Sequence, residues 1–184
     1  QFKWENMDLI ELKKDCSVKQ KKGIHFIMAS VVIWGMIAVV HSLSVPIETK
    51  NLLTFCCSTP LMPLAYAFSR LLKIDFQQKD NPLTKLGLLF SINQIVYLLI
   101  VMWVFAAVPE KMLMVYAMVF GAHLMPYSWL YDSKSYLVLS ILIPIVALVM
   151  GLTLSAWTLA VCMLVIEVIF CMLLMKEVKG LIKV

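Results

Sequence analysis

Residues 136–175 form a run of forty positions with a single charged side chain, Glu167. As one helix the run would measure roughly 60 Å, about twice the hydrocarbon thickness of a bilayer. It must therefore cross, turn and cross back, which carries a carboxyl group to mid-membrane. A water-soluble fold has no place for such a segment. The whole chain is 62% hydrophobic and 15% charged, against roughly 45–50% and 25% in soluble domains. Lipid must be the solvent for much of its surface.

Marking runs of about 20 apolar residues predicts six spans, at 23–43, 51–72, 84–108, 112–131, 136–153 and 156–175. Short polar breaks at 44–50, 73–83, 109–111 and 132–135 separate the first five. Only Gly151, Thr153, Ser155 and Thr158 suit the turn before the sixth, so that hairpin should be very tight. The first run follows Lys19, Lys21 and Lys22 but is too long for a signal-peptide core and lacks a small-residue cleavage pattern. It reads as a retained helix. Because the chain opens on Gln1 rather than Met, its natural start is expected upstream, or trimmed.

The fold class is an all-α polytopic transmembrane bundle, N-in/C-in, with a short N-terminal amphipathic helix. Residues 1–22 form a cytoplasmic segment, 23–176 the six-helix domain and 177–184 a cytoplasmic tail. Orientation follows from the 16 Lys and Arg residues. With the N-terminus inside, Lys3, Lys13, Lys14, Lys19, Lys21, Lys22, Arg70, Lys73, Lys79, Lys85, Lys134, Lys176, Lys179 and Lys183 are cytoplasmic. Lys50 and Lys111 alone lie outside, as the positive-inside rule demands. In the N-terminal segment Phe2, Leu9, Leu12 and Cys16 share a helical face, and Glu11/Lys14 and Asp15/Lys19 have helix-stabilising spacings. Such a helix would lie on anionic lipid, with a frayed, solvated tail as the competing reading.

The formal charge of +5 does not indicate nucleic acid, because the basic residues flank apolar runs instead of interleaving with aromatic ones. Cys16, Cys56, Cys57, Cys162 and Cys171 contain no C-x-x-C and none falls in an external loop, so neither a disulfide framework nor a metal site is expected. Phosphate-loop, zinc-protease, hydrolase-elbow and dinucleotide motifs are absent, no cofactor is expected, and the longest loop holds about ten residues. Any chemistry must occur in the bundle or at its rim.

The stretch LLTFCCSTPLMPLAYAFSRLL, followed by SINQIVYLLIVMWVFAAVPEKMLMVYAMVFGAHLMPYSWLY, resembles a family of small bacterial membrane proteins catalogued as having no known function. The resemblance extends from the first span through the fifth. It implies a bacterial, Gram-positive plasma-membrane protein and supplies no activity, cofactor or catalytic residue.

Function must then be sought in polar residues at membrane depth. Glu167 is near the centre of the sixth span, where a charge costs on the order of 2.5–3.5 kcal/mol on insertion scales. A neutral acid with a partner is cheaper. Ala156 and Ala160, with Met163 or Leu164, share its face, and small residues at that spacing let helices approach closely. Glu167 should thus face protein. His123 lies mid-way along the fourth span, with Tyr116, Phe120 and Tyr127 on its face and Pro126 close by. Asn93 and Gln94 sit in the third span, with Tyr97 one turn beyond Asn93. In the first span Ser30, Trp34 and His41 form a stripe, while His25 and His41 approach opposite membrane faces. Cys56-Cys57-Ser58-Thr59-Pro60 and Pro63 predict a kink in the second span, where Ser58 or Thr59 can satisfy a freed carbonyl. Leu61-Met62-Pro63 recurs as Leu124-Met125-Pro126, which would fit hairpin repeats.

Convergence of Glu167, His123 and Asn93/Gln94 on one mid-membrane pocket is the leading expectation, with Tyr97, Tyr116 and Tyr127 as further ligand-binding or proton-relay candidates. It implies a transporter or binder of a small molecule or ion, with two alternatives: a structural or regulatory subunit whose polar groups hold helices together, and an intramembrane enzyme acting on lipid. The expected partners are the bilayer, such a ligand and other copies of the chain. The fifth span, nearly all apolar apart from Ser140 and Pro144, is expected to be the most lipid-exposed.

Overall fold

The computed structural model describes residues 8–74, 76 and 81–182, and every regular element among them is helical. Phe2, Lys3, Lys79 and Lys183 lie outside the described residues. Helix α1, Leu9–Lys19, opens on a capping box, with Asp8 Oδ1 accepting from the Glu11 amide at 2.8 Å. This satisfies a donor that a helix start leaves unpaired. Asp15 and Lys19 pair at 2.8 Å across one turn. The helix ends where Lys21, Lys22 and Gly23 adopt left-handed backbone at φ 44°, 51° and 69°. A Cβ at Gly23 would stand 3.1 Å from Tyr131 Cε2 and 3.2 Å from the Tyr131 and Tyr136 hydroxyls, so conformation and tight space both favour glycine there.

Six helical stretches are long and apolar enough to cross a membrane: Lys21–Ser42, Ile47–Leu71, Pro82–Ala107, Pro109–Leu130, Lys134–Thr153 and Ala156–Leu181. The first contains α2, Ile24–Ser42. The second is broken into α3, Ile47–Ser58, and α4, Leu61–Leu71. The third is α5, Pro82–Ala107, capped by Asn81 with Pro82 as its first residue. The fourth divides into α6, Met112–Ala122, and α7, Met125–Leu130. The last two are α8, Lys134–Thr153, and α9, Ala156–Ile182. Helix α9 thus continues past residue 176, and its final turns are anchored by Glu177.

The predicted kink in the second span is present, and the fourth span breaks at the equivalent tripeptide. Proline removes a ladder donor, and local side chains take up the slack: Ser58 donates to the Thr54 carbonyl at 3.0 Å and Thr59 to that of Cys56 at 2.8 Å. The Leu61-Met62-Pro63 triplet opens α4, and Leu124 caps α7, which opens on Met125-Pro126.

Loop contacts sort the chain into two ends. At one, Lys50 Nζ donates to the His41 carbonyl at 3.2 Å, Asn51 Nδ2 to that of Pro109 at 2.7 Å and Lys111 Nζ to that of Gly151 at 2.8 Å. At the other, Lys21 Nζ donates to the Leu72 carbonyl at 2.7 Å and Lys22 Nζ to that of Asp132 at 3.0 Å. Asn81 ties α1 to this end, its Nδ2 reaching the Leu12 carbonyl at 2.8 Å and Asp15 Oδ2 at 3.0 Å. Successive spans therefore run up and down, and the two ends contain the residues that the charge pattern assigns to opposite faces.

The fifth span is not the most exposed. Only 11% of the most apolar window of the third span is buried, against 28% in the fifth. Helix α8 packs along α6 and also meets α7 and α9. Glycine accounts for the closeness of that packing: a Cβ at Gly121 would stand 2.6 Å from both Ile143 Cγ2 and Pro144 Cδ. Gly151 abuts Met114 in the same way near the other end of the pair.

Candidate functional site within the helix bundle

The most extensive contact between two single helices joins α2 and α9, from the first and last spans. On α9 it is built from Ala160, Met163, Glu167, Phe170 and Leu174, all fully buried at alternating spacings of three and four. On α2 a buried stripe of the same spacing is Ile27, Ser30, Trp34, Ile37 and His41, of which Ser30 meets Glu167 of α9. Ser30, Trp34 and His41, read from the sequence as one stripe, do share this buried face.

Glu167 lies at the centre of the interface and is completely buried. Its Oε2 contacts the Ser30 hydroxyl, which also reaches the Ile27 carbonyl at 2.8 Å. The carboxyl and the hydroxyl thus form a direct polar contact between the first and last spans. Its other oxygen, Oε1, has no hydrogen-bond partner among the described residues.

The remaining candidates are distributed over other contacts. Tyr116 bonds Ser58 through its hydroxyl at 2.7 Å, joining the fourth span to the second. Tyr127 donates to the Gly87 carbonyl at 3.1 Å and lies 2.7 Å from Ser91 Oγ, joining the fourth span to the third. His123 is half-buried; its Nδ1 contacts the Phe120 carbonyl of its own helix, and its ring meets Tyr127 edge-on at 6.1 Å. Aromatic rings connect these groups through Trp34, which packs edge-on against Tyr116 at 5.7 Å and Phe120 at 5.8 Å. Asn93 and Tyr97 point outward on α5 and Gln94 is half-buried. Helix α5 has no substantial interface with α9, and no hydrogen bond among the described residues links Glu167 to His123, Asn93 or Gln94. The structure therefore brings His123 to Tyr127, and Glu167 to Ser30, as separate pairs.

A further polar cluster closes the opposite-charge end of the bundle, and sequence reasoning missed it. The Glu177 carboxylate pairs with Lys22 Nζ at 2.7 Å. It also accepts from Ser133 Oγ at 2.8 Å, the Ser135 amide at 3.0 Å and Ser135 Oγ at 2.6 Å. Tyr136 donates to the Lys22 carbonyl at 3.0 Å. The beginning of the first span, the loop before the fifth and the end of the sixth are fastened at one carboxylate. The only sequence signal was a Ser-Lys-Ser loop facing a lone acid in a basic tail.

Two surface cavities lie away from both clusters. One of about 370 Å³ is lined by Ser69, Arg70, Lys73 and Ile74. The other, about 200 Å³, lies among Glu110, Lys111, Met114 and Gly151 at the opposite end.

Six apolar helices, joined by short loops and fastened internally by polar pairs, define a multi-pass helical membrane protein. The chain belongs to a family of unknown function, DUF7010, whose model matches residues 9–177. No curated protein and no solved structure matches it.

Proposed function

We propose that this protein is a structural or regulatory subunit of the bacterial plasma membrane, with both termini cytoplasmic. One observation carries the reading: Glu167, a completely buried ionisable group, is held in the α2–α9 contact against Ser30. Tyr116–Ser58, Tyr127–Ser91 and His41–Thr54 are likewise bonds between neighbouring spans. Such bonds contribute on average about 0.6 kcal/mol each in membranes and specify which helices meet. The concentration of basic residues at the Lys22–Glu177 end supports a cytoplasmic placement of that end. Helix α1, with Lys13, Lys14 and Lys19, would rest against anionic headgroups there.

The orientation has a direct check. Cysteines introduced at the exposed Glu48 and Glu110 should react with an impermeant maleimide in intact cells, and one at exposed Lys134 only after permeabilisation. Labelling of the Lys134 position in intact cells would reverse the topology.

A second reading, binding or translocation of a small molecule or ion, draws on the unpartnered Oε1 of Glu167. The two are separated by substitution at this residue. Under the scaffold reading Glu167→Gln keeps near-wild-type thermal stability, whereas Glu167→Ala loses about 1–3 kcal/mol with its buried partner. Proton flux in reconstituted vesicles should be indistinguishable from protein-free vesicles for all three proteins. A flux present in wild type and lost in a stably folded Glu167→Gln protein would replace the scaffold with a transporter.

A further inference from the structure

Helix α5 presents an anomaly for a lipid-facing span. Asn93 and Gln94 fall within two residues of the midpoint of its 26 residues, which is the deepest level of the bilayer and too far from either surface for a short amide to reach water. Asn93 is nevertheless exposed and makes no hydrogen bond among the described residues, and Tyr97 one turn on is also exposed. An amide facing hydrocarbon leaves its donors and acceptor unsatisfied, a cost of several kcal/mol in a solvent without hydrogen bonds.

Leu89, Val96, Ile100 and Trp103 are each more than half exposed. With Asn93 they are spaced 4, 3, 4 and 3, which places one stripe along the helix in the seven-residue rhythm of a left-handed helix pair. A parallel stripe of exposed apolar residues lies beside it, and the amide distinguishes the two. A single Asn in such a seam fixes register and copy number.

We infer that this stripe of α5 is the interface of a two-fold pair formed with a second copy of the chain. All copies are inserted the same way, so the two-fold axis must run along the membrane normal, and each residue meets its own counterpart at its own depth. Asn93 therefore faces Asn93. An amide is both donor and acceptor, and two of them satisfy each other, whereas an unrelated partner would need its own polar group at this same level. The pairing depends on the six-span bundle and not on the role of Glu167, so the two proposals fail independently.

The test uses the full chain reconstituted in lipid vesicles. Energy transfer between donor- and acceptor-tagged copies should rise with protein-to-lipid ratio and saturate as a pair. Asn93→Leu should weaken the pair roughly threefold or more, the scale of an interhelical polar bond, while Asn93→Gln retains it. Both variants should melt as wild type does, since Asn93 bonds nothing within the chain. Single cysteines at 96 and 100, in a chain whose five natural cysteines are replaced, should cross-link far faster than ones at 95 and 102 on the other flank. A wild-type protein that stays monomeric across the dilution series would overturn the proposal. So would cross-linking that does not distinguish the flanks, or loss of a different co-purifying membrane protein from Asn93→Leu.

Discussion

Glu177→Ala should lower the stability of the bundle by about 2–4 kcal/mol, at or just below the range for breaking a buried ion pair. The carboxylate accepts four hydrogen bonds from three residues, Lys22, Ser133 and Ser135. Its removal leaves the Lys22 ammonium, only 7% exposed, with the Asp132 carbonyl as its remaining partner. The Glu177 side chain is itself 23% exposed, and water reaching the vacated site keeps the loss below that of a fully enclosed pair. Glu177→Gln should fall between wild type and Ala: its carbonyl can still accept from Ser135, but its amide donor is set against an ammonium. Thermal unfolding in a mild detergent gives the ranking. Equal melting of wild type and Glu177→Ala would mean that the cluster contributes no stability.

Gly121→Ala is expected to cost about 1–3 kcal/mol, the penalty for forcing extra volume into a packed interior. The added methyl would meet Ile143 Cγ2 and Pro144 Cδ at 2.6 Å. Neither can swing away, because one belongs to a β-branched side chain and the other to a ring, so α6 and α8 must separate. Gly180→Ala supplies the contrast. Nothing lies within 4 Å of a Cβ there, and replacing an exposed helical glycine should stabilise by about 0.8–1 kcal/mol. If both variants melt like wild type, close glycine packing does not hold these two helices together.

The six spans were legible in the sequence because length and hydropathy leave a membrane helix little freedom; the observed helices shift the expected boundaries by a few residues. Orientation of some side chains was legible too. Ala160 at helical spacing from Glu167 pointed that carboxyl toward protein, and it is fully buried. What the sequence could not reveal was the neighbour. Ser30 and Glu167 are 137 positions apart, and an apolar face reads the same whether it meets lipid or another helix. That is why α8 was expected to face lipid: the residues that draw α6 against it are glycines, which carry no hydropathy signal. The shared pocket for Glu167, His123 and Asn93 was inferred from depth alone, and depth does not specify azimuth around the bundle. Lys22 and Glu177 were hidden by the opposite habit, since charges near membrane ends are expected to be solvated.

The α2–α9 contact also has a bearing on how the protein is made. Its Ser30 and Glu167 are 137 positions apart in the chain, so the contact cannot form until the four spans between them have been made. Until then Ser30 and the Lys22 turn stand without the carboxyl groups that pair with them. Contacts of this sequence separation are slow to form and leave partly assembled chains exposed. A chain that stops before Glu167 would be inserted yet permanently unclosed, a ready target for membrane proteases that survey unfinished bundles.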